Sequence, residues 1–221
     1  MKYLFRQRFF TILMLGFVVL FPGMTSCTYH HYKGLEKSST AIRIPDIFDS
    51  SFRKATYVTD FEVFGNALSG ITIIKKVILT NTYHVVFMSQ IGLTYFDLEV
   101  AMDRDTGGYQ VNYIMKSLNR DFIKKALQTD FELLFSKFPP GSQKQFYEHP
   151  EKEIVEMLVQ IENMTASYAA ENQEIQFISY RKGRATGASI HISDYRKNHP
   201  SQFTIHNRKA RLHISFREID L

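Results

Sequence analysis

The chain has 221 residues and a formal charge of +5, with 19 Phe, 12 Tyr, one Cys and no Trp. Lys2, Arg6 and Arg8 stand in residues 1–26 with no acid beside them, so the charge from residue 27 onward falls by three to +2. That is too weak a basic balance to point to nucleic acid. The lone cysteine excludes an intrachain disulfide framework, and the aromatic content suits strands better than a helical bundle.

The three basic residues precede an apolar run, Phe9–Phe21, interrupted by Thr11 and Gly16 and closed by Pro22-Gly23. This is the layout of a secretory signal. Its 13-residue core is shorter than the roughly 20 apolar residues a spanning helix needs. Met24-Thr25-Ser26-Cys27 follows and resembles the lipobox of bacterial lipoproteins. The resemblance implies cleavage before Cys27, covalent lipid on its thiol, an acylated amine bearing chains such as palmitate, and no other cofactor. Such chains contribute about 0.8 kcal/mol per buried CH₂, and more than one makes the anchoring stable. The expected division is a signal peptide over 1–26, a lipidated anchor and tether over 27–41, and a single domain over 42–221. After Cys27 no acid occurs before Glu36. For a lipoprotein this points to the periplasmic face of an outer membrane.

Thr28–Lys37 is polar and reads as a tether, with His30-His31 as a solvated pair rather than a metal site. Ile42 and Ile44 suggest a short strand before Pro45. A meander follows. Tyr57–Val63 alternates at the strand period. Leu68–Leu79 comes after a turn at Gly65-Asn66, and Tyr83–Met88 after a turn at Thr80-Asn81. Tyr83–Met88 is apolar on both faces, as in a doubly covered strand. Thr94–Met102 sets Phe96, Leu98, Val100 and Met102 against Asp97 and Glu99. After a loop at Asp103–Gly108, Val111, Tyr113 and Met115 close the run.

The period then changes. Asn119 is a candidate N-cap, and Ile123, Leu127, Phe131, Leu134 and Phe138 share one helical face up to Pro139-Pro140-Gly141. Ser142–Pro150 reads as a loop. Ile154–Ile161 is ambiguous between helix and strand, and we favour a strand. A second meander runs through Thr165–Ala169, Ile175–Tyr180, Ala188–Ile192, Phe203–Ile205 and Ala210–Phe216. The expectation is a mainly β (α+β) fold: a curved antiparallel sheet or half-open barrel of about ten strands, with one amphipathic helix on its concave side.

The closing run, Ile190-His191-Ile192-Ser193-Asp194-Tyr195, Pro200–Ile205 and Leu212–Phe216, resembles the last strands of LolA/LolB-type lipoprotein carriers. The Gly-bounded strands from Phe61 to Val100 are similar too. This resemblance implies an apolar interior that holds acyl chains, an anchored member that receives lipoproteins at the outer membrane, and an apolar residue on a protruding hairpin that meets the bilayer. On strand order that hairpin carries Val77, Ile78 and Leu79. The plain alternative is that the strand runs on and packs them in the core.

Phe61, Phe87, Phe96, Val100, Phe122, Leu127 and Phe131 are candidates for lining a lipid cavity, or equally for an ordinary filled core. His191, His199, His206 and His213 have no zinc spacing. Asp97 and Glu99 share one face of a strand, as catalytic carboxylates can, or more simply form its wet side. No nucleophile elbow or phosphate loop occurs, so no catalytic residues and no metal are assigned. The sequence points to a non-enzymatic envelope lipoprotein that binds membrane lipid, acyl chains or lipidated protein. The alternative is a structural or interaction lipoprotein with a filled core.

Overall fold

In the computed structural model, strand-period alternation among the described residues becomes a single antiparallel sheet of 13 strands. The structure describes residues 30–103, 108–138, 141–161, 163–183 and 185–219. The signal segment, Cys27, Pro139 and Pro140 lie outside them. No helix among the described residues is long and apolar enough to cross a membrane.

His31–Leu221 forms one unit. Its first meander comprises β2 (Lys54–Val63), β3 (Asn66–Val77), β4 (Thr82–Met88), β5 (Thr94–Ala101) and β6 (Tyr109–Ile114). Helix α1 (Asp121–Phe135) then carries the chain to the other edge. There β7 (Lys144–Glu148), β8 (Ile154–Ile161), β9 (Met164–Glu171), β10 (Glu174–Lys182), β11 (Ala185–Arg196), β12 (His199–Asn207) and β13 (Leu212–Glu218) return in sequence. The two meanders join where β13 pairs β2, with Ile214 opposite Phe61 and Leu212 opposite Val63. The sheet stays open, ending at β6 on one side. On the other side a short β1 (Glu36–Ser38) covers β7, with Lys37 opposite Tyr147.

Local differences from the sequence reading have physical causes. Residues 154–161 are a strand, as favoured above. The expected loop at 142–150 contains β7, a strand whose alternation is too short to stand out. Ile42 and Ile44 form no strand, because the chain there lies over the end of the helix. Residues 31–38, expected in the tether, lie on the domain. The His31 ring stacks on Phe177 at 3.8 Å, and its backbone N–H donates to Glu156 at 3.3 Å. Val86 and Met88 of β4 are half-buried rather than fully covered.

The helix begins one residue later than expected, with Arg120 as N-cap and no side-chain cap bond. It ends at Phe135 rather than Phe138. The Ser136 N–H still donates to Glu132 O at 3.0 Å, but Lys137 turns into a bridge beside Asp103. The face of α1 that meets the sheet carries Ile123, Leu127, Phe131 and Leu134, all buried. Each such side chain contributes about 1.5–3 kcal/mol by leaving water. Asp130 stands on the same buried face. Its two carboxylate oxygens accept from Asn207 Nδ2 of β12 at 3.0 and 3.1 Å. Burial pushes this carboxyl up to about 7, opposed by the Asn207 bond.

Candidate functional site: a cleft at the end of the helix

The last turn of α1 stops short of filling the space between it and strands β7–β10. Residues 42–48 cross above without forming a strand of their own. Between them lies a cleft of about 500 Å³, within the roughly 300–1,000 Å³ of small-molecule sites. Phe48 and Phe135 wall one side, and Phe146, Met157, Tyr168 and Ile175 wall the other. The wall is held in place by polar groups whose bonds are already made. The Tyr168 hydroxyl donates to Leu133 O at 3.0 Å, satisfying a carbonyl of the helix's last turn. Ser136 Oγ donates to Ala101 O at 2.7 Å. Tyr83 and Phe135, both in the lining, stack at 4.4 Å. The remaining lining includes the basic side chains of Arg43, Lys76, Lys137 and Lys144.

The residues singled out in the sequence fall in three places. Phe61, Phe87, Phe96, Val100, Leu127 and Phe131 are fully buried in the central core, where Phe87 and Phe96 lie 5.4 Å apart and Phe96 and Phe131 6.3 Å apart. They do not line this cleft. Phe122 is 42% exposed at the start of the helix, edge-on to Phe64 at 5.1 Å. Val77 ends β3, and the next two side chains project from the turn: Ile78 is 65% exposed and Leu79 99%. The alternative in which Leu79 packs in the core is not what the fold adopts.

That turn adjoins the cleft. The Met102 N–H donates to Asn81 O at 2.9 Å, and the Lys137 N–H donates to Met102 O at 2.6 Å. Lys76, on the same hairpin, lines the cleft and donates from Nζ to Ser50 O at 3.2 Å. Sequence reading missed the cleft because its lining comes from segments far apart in the chain, none periodic by itself. The only local signal was Lys75-Lys76 beside an apolar hairpin end.

The other candidates are structural. Asp97 bonds His84 at 2.6 Å and Asn112 at 3.0 Å, while Glu99 accepts from Asn112 at 3.3 Å, all on the outer face of the sheet. His199 is buried against Glu218 at 2.9 Å. His206 and His213 are cross-strand neighbours at 6.0 Å. Among the described residues no group of three or more His, Cys, Asp or Glu is placed to hold a metal ion.

No family model matches the chain, and no curated protein matches its sequence. Among solved structures, it is similar to a DUF1329 family protein from Desulfovibrio piger, with a TM-score of 0.47 and 10% identity over 77% of this chain and 85% of that one. It is also similar to a domain described as an outer membrane lipoprotein-sorting protein from Vibrio parahaemolyticus, with a TM-score of 0.40 and 5% identity over 78% and 86% of the two chains. The likeness is weak and concerns the layout of strands. It assigns no role to any residue.

Proposed function

We propose that this chain is a lipid-anchored protein of the cell envelope, held through Cys27 to the periplasmic face of an outer membrane, whose domain takes an acyl chain of a lipid or lipidated protein into the cleft. The observation that carries this reading is a cleft with apolar and polar walls beside a hairpin tip whose Ile78 and Leu79 face solvent. An apolar side chain held out in water favours insertion into a bilayer, and the apolar wall of a nearby cleft can receive the chain that leaves it. In this reading the sheet curves round α1 as a half-open barrel, and the cleft is the gap left at the helix end. No bond is made or broken. The work is reversible burial of apolar surface.

The test is photolabelling of the full chain in phosphatidylcholine nanodiscs with a hexadecanoic acid bearing a photoreactive group near its tail. Crosslinks mapped by mass spectrometry to residues 42–48 and 133–146 support the reading. Crosslinks confined to the anchor overturn it. They would favour the second reading, a scaffold lipoprotein with a filled core, which the tight packing of Phe87, Phe96 and Phe131 supports. The anchor has its own test: Cys27→Ala abolishes incorporation of radiolabelled palmitate, and continued incorporation overturns the assignment.

A further inference from the structure

We infer that the cleft selects single-chain amphiphiles with an anionic head, the acyl chain lying on the apolar wall and the head held at a basic rim. This rests on the acyl-chain reading above and goes further by assigning the head. Four cations, Arg43, Lys76, Lys137 and Lys144, line the cleft with one carboxylate, Asp46. None of the four is ion-paired to a carboxylate among the described residues. Lys76 is held by a neutral carbonyl at 3.2 Å. Lys144 lies over the Phe138 ring at 5.5 Å.

The four come from four separate stretches: the strap at 42–48, β3, the exit of the helix, and β7. Arg43, Lys137 and Lys144 are exposed and Lys76 is half-buried, and long basic side chains can lay a stem on apolar surface while keeping the charge near water. Like charges gathered round one opening repel one another, and an anion among them relieves that repulsion. A neutral head gains nothing from them, and a cationic head adds a fifth positive charge. The volume of about 500 Å³ suits one ligand of ordinary small-molecule size, so a single chain fits better than a three-chain anchor. A free anion such as phosphate finds no use for Phe146, Met157 and Ile175, which is why the occupant is a lipid.

The experiment uses the same full chain in phosphatidylcholine nanodiscs and the same photoreactive hexadecanoate. Hexadecanoate, hexadecyl phosphate, hexadecanol, hexadecyltrimethylammonium and inorganic phosphate are added in turn as competitors. Both anionic amphiphiles are expected to displace the probe at least tenfold more effectively than hexadecanol. Hexadecyltrimethylammonium is expected to be weaker still, and inorganic phosphate inert. The Lys137→Gln/Lys144→Gln variant should lose most of that preference while still being labelled, and Lys137→Glu/Lys144→Glu should favour the cationic amphiphile. If hexadecanol competes as well as hexadecanoate against the wild-type chain, the head-group inference falls and the acyl cleft stands. Displacement by inorganic phosphate alone also overturns the inference, since it makes the site a plain anion site. If no probe labels the cleft, both readings fall together.

Discussion

The backbone N–H of Lys137 donates to the carbonyl of Met102 at 2.6 Å. This bond ties the exit of α1 to the end of β5. Met102 in turn donates to Asn81 in the β3–β4 turn at 2.9 Å. The exposed tip and the cleft are therefore neighbours in a hydrogen-bonded chain, and the tip can be altered without entering the core.

Leu79→Glu is the direct use of that geometry. Leu79 is 99% exposed, so the substitution should change stability by no more than about 0.5 kcal/mol. Transfer of a fluorescent lipopeptide between phosphatidylcholine vesicles should fall sharply, because the new carboxylate opposes entry into the bilayer. Denaturant unfolding and the transfer rate are measured on the same preparation. Unchanged transfer removes the tip from the mechanism.

Asp130 makes stability depend on pH. Its carboxyl ionises near 3.8 in the unfolded chain and is pushed up to about 7 in the fold, chiefly by burial. Between these values the folded state keeps a proton that the unfolded state has released. The contribution is therefore complete below about pH 4 and lost as pH rises through 7, amounting to about 4 kcal/mol by linkage. Asp130→Asn should flatten this profile, leaving stability similar at pH 5 and pH 8. Urea unfolding at the two pH values reads the difference, and an Asn variant as pH-sensitive as the wild type contradicts the assignment.

Gly70 and Gly65 should respond differently to alanine. A Cβ on Gly70 would run into the Met88 carbonyl, with the carbonyl carbon at 2.9 Å and Phe87 Cε2 at 3.1 Å. Backbone cannot step aside as a flexible side chain can, so Gly70→Ala should cost about 3 kcal/mol, the upper end for overpacking. Gly65 sits at φ +78° with nothing within 4 Å. Its alanine variant bears only the left-handed backbone cost, roughly 1 kcal/mol. Comparable melting temperatures for the two variants would contradict this ranking.

Phe177→Ala should loosen the segment at 31–38. The ring stacks on His31 at 3.8 Å and contacts His191 at 4.6 Å. Losing such an aromatic pair removes about 0.5–1.5 kcal/mol. Faster trypsin cleavage after Lys33 and Lys37, with the rest of the domain still protected, is the expected result. An unchanged cleavage rate would mean that β1 pairing alone holds the segment.

What the sequence determined by itself is periodic. Strands such as Tyr57–Val63 and Thr94–Ala101, and the helical face from Ile123 to Leu134, are legible because each repeats a local pattern that burial on one side imposes. Asp130 could have been noticed there, as a carboxylate within an apolar stripe, but its partner Asn207 lies 77 residues away. Only the tertiary structure decided that β13 pairs β2, that residues 36–38 add a strand to β7, and that Phe61, Phe87 and Phe96 fill a core while Phe48, Phe146 and Met157 border a cleft. The same apolar residue serves either purpose. Whether it meets another side chain or open space depends on where the helix stops relative to strands far away in the chain. The helix stops at Phe135 because Ser136 and Lys137 bond the end of β5, a contact no local period contains.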